Sequence, residues 1–278
     1  MATSFSEGNH AFIIDLDGTI IGDCIYQTEI YKIYLILNKL GIKIKINDIL
    51  EPHYTEKAKL IRPHFSYFLK KMKDAFPNCH FYIYTASEKK WAEKEISLIE
   101  KNLNIKFDRP IFTRNDCDAV KDECGKITYI KSINKIKKKI KIDNPEILII
   151  DDKHVYTDNH NRLIKCKLYN YKSFCNYWDY IPITKIRNQV FIKYLMTLIE
   201  AQRLNPVYII YSIKQKLDYY KWLYKKCKEL NTYNSQYKYD DFWLNLTKII
   251  YKNKITNFTD LSVSFIQRSV SNHSQRVQ

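Results

Sequence analysis

Ala11-Phe12-Ile13-Ile14-Asp15-Leu16-Asp17-Gly18-Thr19 opens with four apolar residues and delivers two acids spaced i and i+2. An uninterrupted apolar run of this kind fits a strand buried on both faces. Alternate strand residues share a face, so Asp15 and Asp17 converge on one point beyond the strand's carboxyl end. Carboxylates there are costly to bury unless they meet a cation. Oxygen ligands of this kind suit a hard divalent ion beside a reacting phosphorus. The same nine residues also fit a strand closed by an Asx-type turn, because Asp-Gly is common in turns. The rest of the chain has to separate the two readings.

Working outward, Thr28 to Leu40 reads as a helix stopped by Gly41, and a second helix begins at Pro63 with Phe65, Phe68, Leu69, Met72 and Phe76 at helical spacing. His80 to Thr85 is a short strand, followed by the Ala86-Ser87-Glu88 turn and a helix through about Lys101. Ile147-Leu148-Ile149-Ile150-Asp151-Asp152 repeats the opening design of an apolar run ending in two acids. Three strands ending in Asp, Thr and Asp-Asp with helices between them predict an α/β fold. Its form is a doubly wound parallel sheet with helices on both faces, and its ligand crevice lies beyond the carboxyl ends of the strands. Beyond Asp179 the pattern turns helical, over 184–203, 206–230 and 240–251, and predicts a helical C-terminal extension whose tryptophans and tyrosines are packing residues. The expected organisation is a polar tail over 1–8 and a catalytic domain over 9–203 with an insert at about 20–60. A helical extension of unassigned role over 204–268 and a polar tail over 269–278 complete it.

If the three strand ends meet, the chemistry is phosphoryl transfer. Asp15 is placed to attack a phosphate ester in line, forming an acyl phosphate. Asp17 is placed to protonate the leaving oxygen and later to take a proton from water. Thr85 offers a hydroxyl to the phosphoryl oxygens. Asp151 and Asp152, with Asp15 and Asp17, form an all-oxygen ligand set for magnesium, Mg2+.

These residues give the chain a specific likeness: it resembles the haloacid-dehalogenase-superfamily phosphatases. Asp15, Asp17 and Thr19 match that superfamily's Asp-x-Asp-x-Thr motif, Thr85 its strand-terminal Thr or Ser, Lys131 its lysine, and Asp151-Asp152 its acidic pair. Within it, the chain is most similar to the NLI-interacting-factor-like branch, which includes phosphatases of the RNA polymerase II C-terminal domain. The likeness rests on Arg62-Pro63, on Tyr84-Thr85-Ala86-Ser87 with Trp91-Ala92, and on Thr113-Arg114-Asn115-Asp116-Cys117. The resemblance implies a phosphate-binding role for Thr85 and Lys131 and a phosphorylated protein as substrate. Two departures bear on that substrate. Gly18 replaces the Glu usual in the branch, giving an Asp-Gly-Thr form also found in polynucleotide 3'-phosphatases, and Asp152-Lys153-His154 replaces Asn-Ser-Pro. A nucleic-acid end is therefore the alternative substrate, and a non-catalytic binding protein on the same fold is the third reading.

Composition bounds these readings. With 45% hydrophobic and 14% aromatic residues but only five glycines and seven prolines, most of the 278 residues should fold. The formal charge of +16 favours anionic partners. Of its basic residues, the run Asn134 to Lys141 reads as a solvated helix face. Seven cysteines without a Cys-x-x-Cys pair suggest free thiols in a reducing compartment. Cys117 and Cys124 lack further close ligands for zinc. The N-terminus has no secretory pattern, and no run approaches the roughly 20 apolar residues of a membrane span. The expectation is an intracellular protein of cytoplasm or nucleus with no membrane partner.

Overall fold

The computed structural model describes residues 8–22, 54–171, 234–255 and 258. The helix expected over 28–40, most of the insert, and the helices expected over 184–203 and 206–230 lie outside the described residues. In chain order the described strands are β1 (His10–Ile14), β2 (Cys79–Ile83), β3 (Asp118–Lys121), β4 (Ile127–Ile130), β5 (Glu146–Asp151) and β6 (Leu163–Lys165). Four of them form one parallel sheet in the order β2-β1-β5-β6, and β3 and β4 pair antiparallel as a separate hairpin. The three strands expected from apolar runs are β1, β2 and β5, which are neighbours in the sheet. The hairpin escapes a pattern reading because its residues are exposed or half-buried, so no apolar period marks it.

Strand pleating sorts the core into two layers. From β1, Phe12 and Ile14 join the layer containing helices α1 (Phe65–Ala75) and α2 (Lys89–Leu103), while Ala11 and Ile13 join the layer over α3 (Ile133–Lys137). Helices therefore cover both faces, as an all-parallel sheet requires. Helix α1 starts two residues later than Pro63 suggests, because His64 sits in the left-handed region at φ 66°. Beside β2, residues 108–112 run along the outer edge, with Asp108 N donating to Phe81 O and Phe112 N to Ile83 O. These bonds occupy the strand's open side.

Helix α4, Phe242–Lys252, matches the expectation over 240–251 closely and packs directly on the sheet domain. Trp243 is fully buried, its ring 4.9 Å from Phe65 and 4.8 Å from Phe68. Tyr251 donates to Lys71 O at 2.7 Å, and Phe258 N donates to Glu146 Oε1 at 3.0 Å. The segment closes the outside of the α1 layer. No helix among the described residues is long and apolar enough to cross a membrane.

Candidate active site

Register brings the acids together before any side chain is considered. Ile14 pairs with Ile150, so the next residue, Asp15, stands beside Asp151, and Asp15 N donates to Ile150 O at 2.9 Å. On the other side Tyr84 N donates to Ile14 O, which sets Thr85 at the neighbouring strand end. Two adjacent buried strands thus stop together and face their carboxylates into one crevice.

Lys131 fills the centre of that crevice. Its Nζ donates to Asp15 Oδ1 at 2.6 Å and to Asp151 Oδ2 at 2.7 Å, with the side chain 2% exposed. The lysine follows β4 directly and is fixed by its backbone: Lys131 N donates to Val155 O, and Thr157 N donates to Lys131 O. The rings of Tyr84 and Tyr156 each lie 5.6 Å from the ammonium. Burial alone would lower the Lys131 pKa, but Asp15, Tyr156 and Asp151 outweigh it and hold the group well above its usual range. Burial pushes the Asp15 carboxyl upward, with Asp151 and Asp17 adding repulsion against the pull of Lys131. Burial and then Asp151 likewise raise Asp152. Burial thus leads for the two carboxyls, and carboxylate attraction prevails for the lysine. With three carboxylates facing a single ammonium, any further proton or cation is favoured there.

Asp15, Asp151 and Asp152 offer carboxylate oxygens all within 4.8 Å of one another. Asp152 Oδ1 is buried without a hydrogen-bond partner, while Asp151 Oδ1 accepts from Lys153 N at 2.8 Å. An orphaned buried carboxylate oxygen beside two more acids fits a hard divalent cation. Asp17 does not join this group. Its Oδ2 accepts from Ser87 Oγ at 2.6 Å and from Thr85 Oγ1 at 3.3 Å, which turns the carboxylate toward the Thr85 turn. The Asp17 carboxylate, which the sequence reading counts among the metal ligands, thus stands outside the group of three acids in this structure.

The Thr85 turn is braced from several sides. Thr85 Oγ1 accepts from Ser87 N, Arg114 Nε donates to Ala86 O at 2.9 Å, and Cys117 Sγ lies 4.0 Å from Thr85 O. Arg114 and Cys117, both part of the family likeness, are therefore supports of this turn. The Tyr84 hydroxyl donates to Asp116 O and accepts from Ser132 N, tying together the two ends of the segment that carries the β3–β4 hairpin. Ser87 belongs to the Thr-Ala-Ser signature, yet its hydroxyl acquires a role at the site only once the turn is folded. Tyr156 escapes sequence reasoning altogether, since nothing near it in sequence marks it. Of the basic run, Lys135 pairs with Asp118 and Lys139 with Asp116, and its remaining lysines are exposed, as a solvated face should be. His154 is exposed beside the acidic pair.

Gly18 has a conformational reason. Its φ is +85°, and a Cβ there would lie 2.5 Å from Leu168 Cδ1 and 3.1 Å from Asp152 Cγ. Glycine at this position satisfies the turn and leaves room for the acid at 152.

A parallel α/β sheet whose strand ends gather acids, a threonine and a buried lysine in this way defines a haloacid-dehalogenase-like domain. The chain belongs to the NLI interacting factor-like phosphatase family, whose sequence model matches residues 11–183. Similar solved structures include an Fcp1 variant, the RNA polymerase II CTD phosphatase of fission yeast, bound to beryllium fluoride. It is 16% identical, with a TM-score of 0.38 and coverage of 85% of this chain and 69% of that one. A second Fcp1 structure is 17% identical, with a TM-score of 0.38 and coverage of 82% and 66%. A phosphoserine phosphohydrolase-like protein from Francisella tularensis is 16% identical, with a TM-score of 0.30 and coverage of 52% and 79%. A search of curated proteins gave no match.

Proposed function

We propose that the protein is a Mg2+-dependent phosphatase that hydrolyses phosphoserine and phosphothreonine esters through a phosphoaspartate at Asp15. The observation that carries this reading is the buried cluster of Asp15, Asp151 and Asp152 around Lys131, with one carboxylate oxygen left unpaired. Asp15 is the nucleophile, and Lys131 holds it in place while offering positive charge to the phosphoryl oxygens. Asp17, oriented by Ser87 and Thr85, gives its proton to the leaving serine or threonine oxygen and takes one from the water that cleaves the acyl phosphate. Asp15, Asp151 and Asp152 would hold Mg2+, which supplies charge neutralisation for the transferring phosphoryl group.

A phosphorylated protein is favoured over a nucleic-acid end because Gly18, the feature that spoke for polynucleotides, is accounted for by its backbone conformation and by Asp152. The +16 charge keeps a 3'-phosphorylated oligonucleotide as the comparison substrate. We place the protein inside the cell, in cytoplasm or nucleus.

The test is hydrolysis of a phosphoserine peptide, a 3'-phosphorylated oligonucleotide and an aryl phosphate, each with Mg2+ and with a chelator, with Asp15→Asn as control. Mg2+-dependent release from the peptide, absent in Asp15→Asn, is expected. Release from the oligonucleotide alone would overturn the substrate class, and failure on all three would leave a binding protein.

A further inference from the structure

The catalytic turn does not hold itself together. Gly18 N donates to Ile21 O at 2.8 Å, but the outer contacts of residues 18–22 come from two distant strips. Arg62 N donates to Ile20 O and Gly22 N to Leu60 O, while Tyr169 N donates to Gly18 O, each at 2.8 Å. Thr19 Oγ1 lies 3.7 Å from Cys166 Sγ. Both strips converge on the Arg62 guanidinium, which stands 5.3 Å from the Tyr169 ring centroid and 4.6 Å from that of Phe242. Arg62 is 1% exposed, so a fixed counter-charge is required. Asp240 supplies it, with Oδ1 2.7 Å from Nε and Oδ2 2.9 Å from Nη2.

Asp240 lies outside the span that matches the family. It stands just ahead of α4, where its Oδ1 also accepts from Phe242 N at 3.3 Å, while further along the helix Trp243 and Tyr251 supply the main anchors. Removing the Asp240 carboxylate should therefore leave α4 in place while freeing the guanidinium to shift, and with it the two strips that clasp the catalytic turn.

We propose that Asp240 is a positioning residue for the reaction: through its paired bonds to Arg62 it fixes the Gly18–Ile21 turn that aligns Asp15 and Asp17. The kinetic part rests on the phosphatase reading above; the structural part stands without it. This gives the segment around α4 a role in setting catalytic geometry, although it contributes no residue to the crevice among the described residues.

The experiment compares full-length Asp240→Ala, Asp240→Glu and Trp243→Phe with the parent, by steady-state kinetics and by hydrogen exchange read peptide by peptide. Small misplacement of a reacting group is costly, so Asp240→Ala should lose about tenfold in kcat with KM changed less than about twofold. Asp240→Glu should recover part of the loss. Exchange should accelerate in 16–22 and 59–62 and stay at the parent rate in 146–151. Trp243→Phe should lower stability while leaving kcat unchanged. Parent kcat and parent exchange in folded Asp240→Ala would overturn the proposal, as would acceleration spread equally into 146–151, which marks plain destabilisation. If the parent itself hydrolyses nothing, the phosphatase reading fails and the exchange pattern alone decides the role of Asp240.

Discussion

Among the described residues, two buried cations, Arg62 and Lys131, face carboxylates and are balanced differently. Arg62 meets one acid, Asp240, through paired hydrogen bonds and lies between two aromatic rings. Its charge is matched one to one, through Nε and Nη2. Lys131 meets Asp15 and Asp151 directly with Asp152 close by, so three acids share one ammonium and Asp152 Oδ1 stays unpaired. A one-to-one ion pair carries no excess charge, even though Arg62 Nη1 is buried without a hydrogen-bond partner, whereas an acid-rich cluster favours another positive group. The same interaction type thus supports a structural brace at one point and a reactive site at the other.

The largest effect should come from Asp15→Asn, which keeps the size of the side chain and removes the nucleophile. Phosphatase turnover should fall by at least about a thousandfold while the far-ultraviolet spectrum stays that of the parent. At the matched pair the loss is one of stability. Arg62→Met leaves Asp240 without its partner and should cost about 3–5 kcal/mol in urea unfolding. A cost below about 1 kcal/mol would show that the pair is only a surface-like contact.

A further carboxylate, Asp158, is stabilised by neutral hydrogen-bond donors and sharpens the contrast. Burial alone would raise its pKa, but the Ser132 hydroxyl and the Asn134 and Ile133 amides more than offset that and lower it. These donors form the N-terminus of α3, so Asp158→Ala should cost about 1–2 kcal/mol at neutral pH. Because the folded pKa is depressed, this contribution is complete above the unfolded value of about 4 and disappears as pH falls through the lower folded value. Urea midpoints of parent and variant should therefore converge in acid and separate at neutral pH.

The smallest effect has the opposite sign. Asp152→Asn removes one of the excess acids and should raise the stability of the metal-free protein by about 1 kcal/mol while weakening Mg2+ binding. Calorimetry with Mg2+ alone measures the second quantity. Destabilisation of the metal-free variant would mean that the cluster is already balanced.

The catalytic end of the sheet is legible in the sequence because its information is local. Each acid or hydroxyl follows an apolar run that must end, and parallel register alone aligns Asp15, Thr85 and Asp151. Lys131 is recognisable only by its place in a known motif order, since its position depends on the exposed β3–β4 hairpin and on pairing with residues 155–157. Arg62 and Asp240 are 178 residues apart, and no periodicity or spacing links them. The orientation of Asp17 is hidden for a similar reason: sharing a face with Asp15 brings it near the crevice, but Ser87 and Thr85 decide where its oxygens point. Gly18 reads in the sequence as a marker of substrate class, whereas its left-handed backbone and its neighbour Asp152 give it a structural reason.

The central claim is that Asp15 carries the phosphoryl group. A rapid-quench reaction with a radiolabelled phosphoserine peptide and Mg2+, followed by mapping of the label, tests it most directly. The account predicts a transient, hydroxylamine-labile label on the peptide containing Asp15, absent in Asp15→Asn. Turnover with no label at Asp15, or label on another residue, would contradict it.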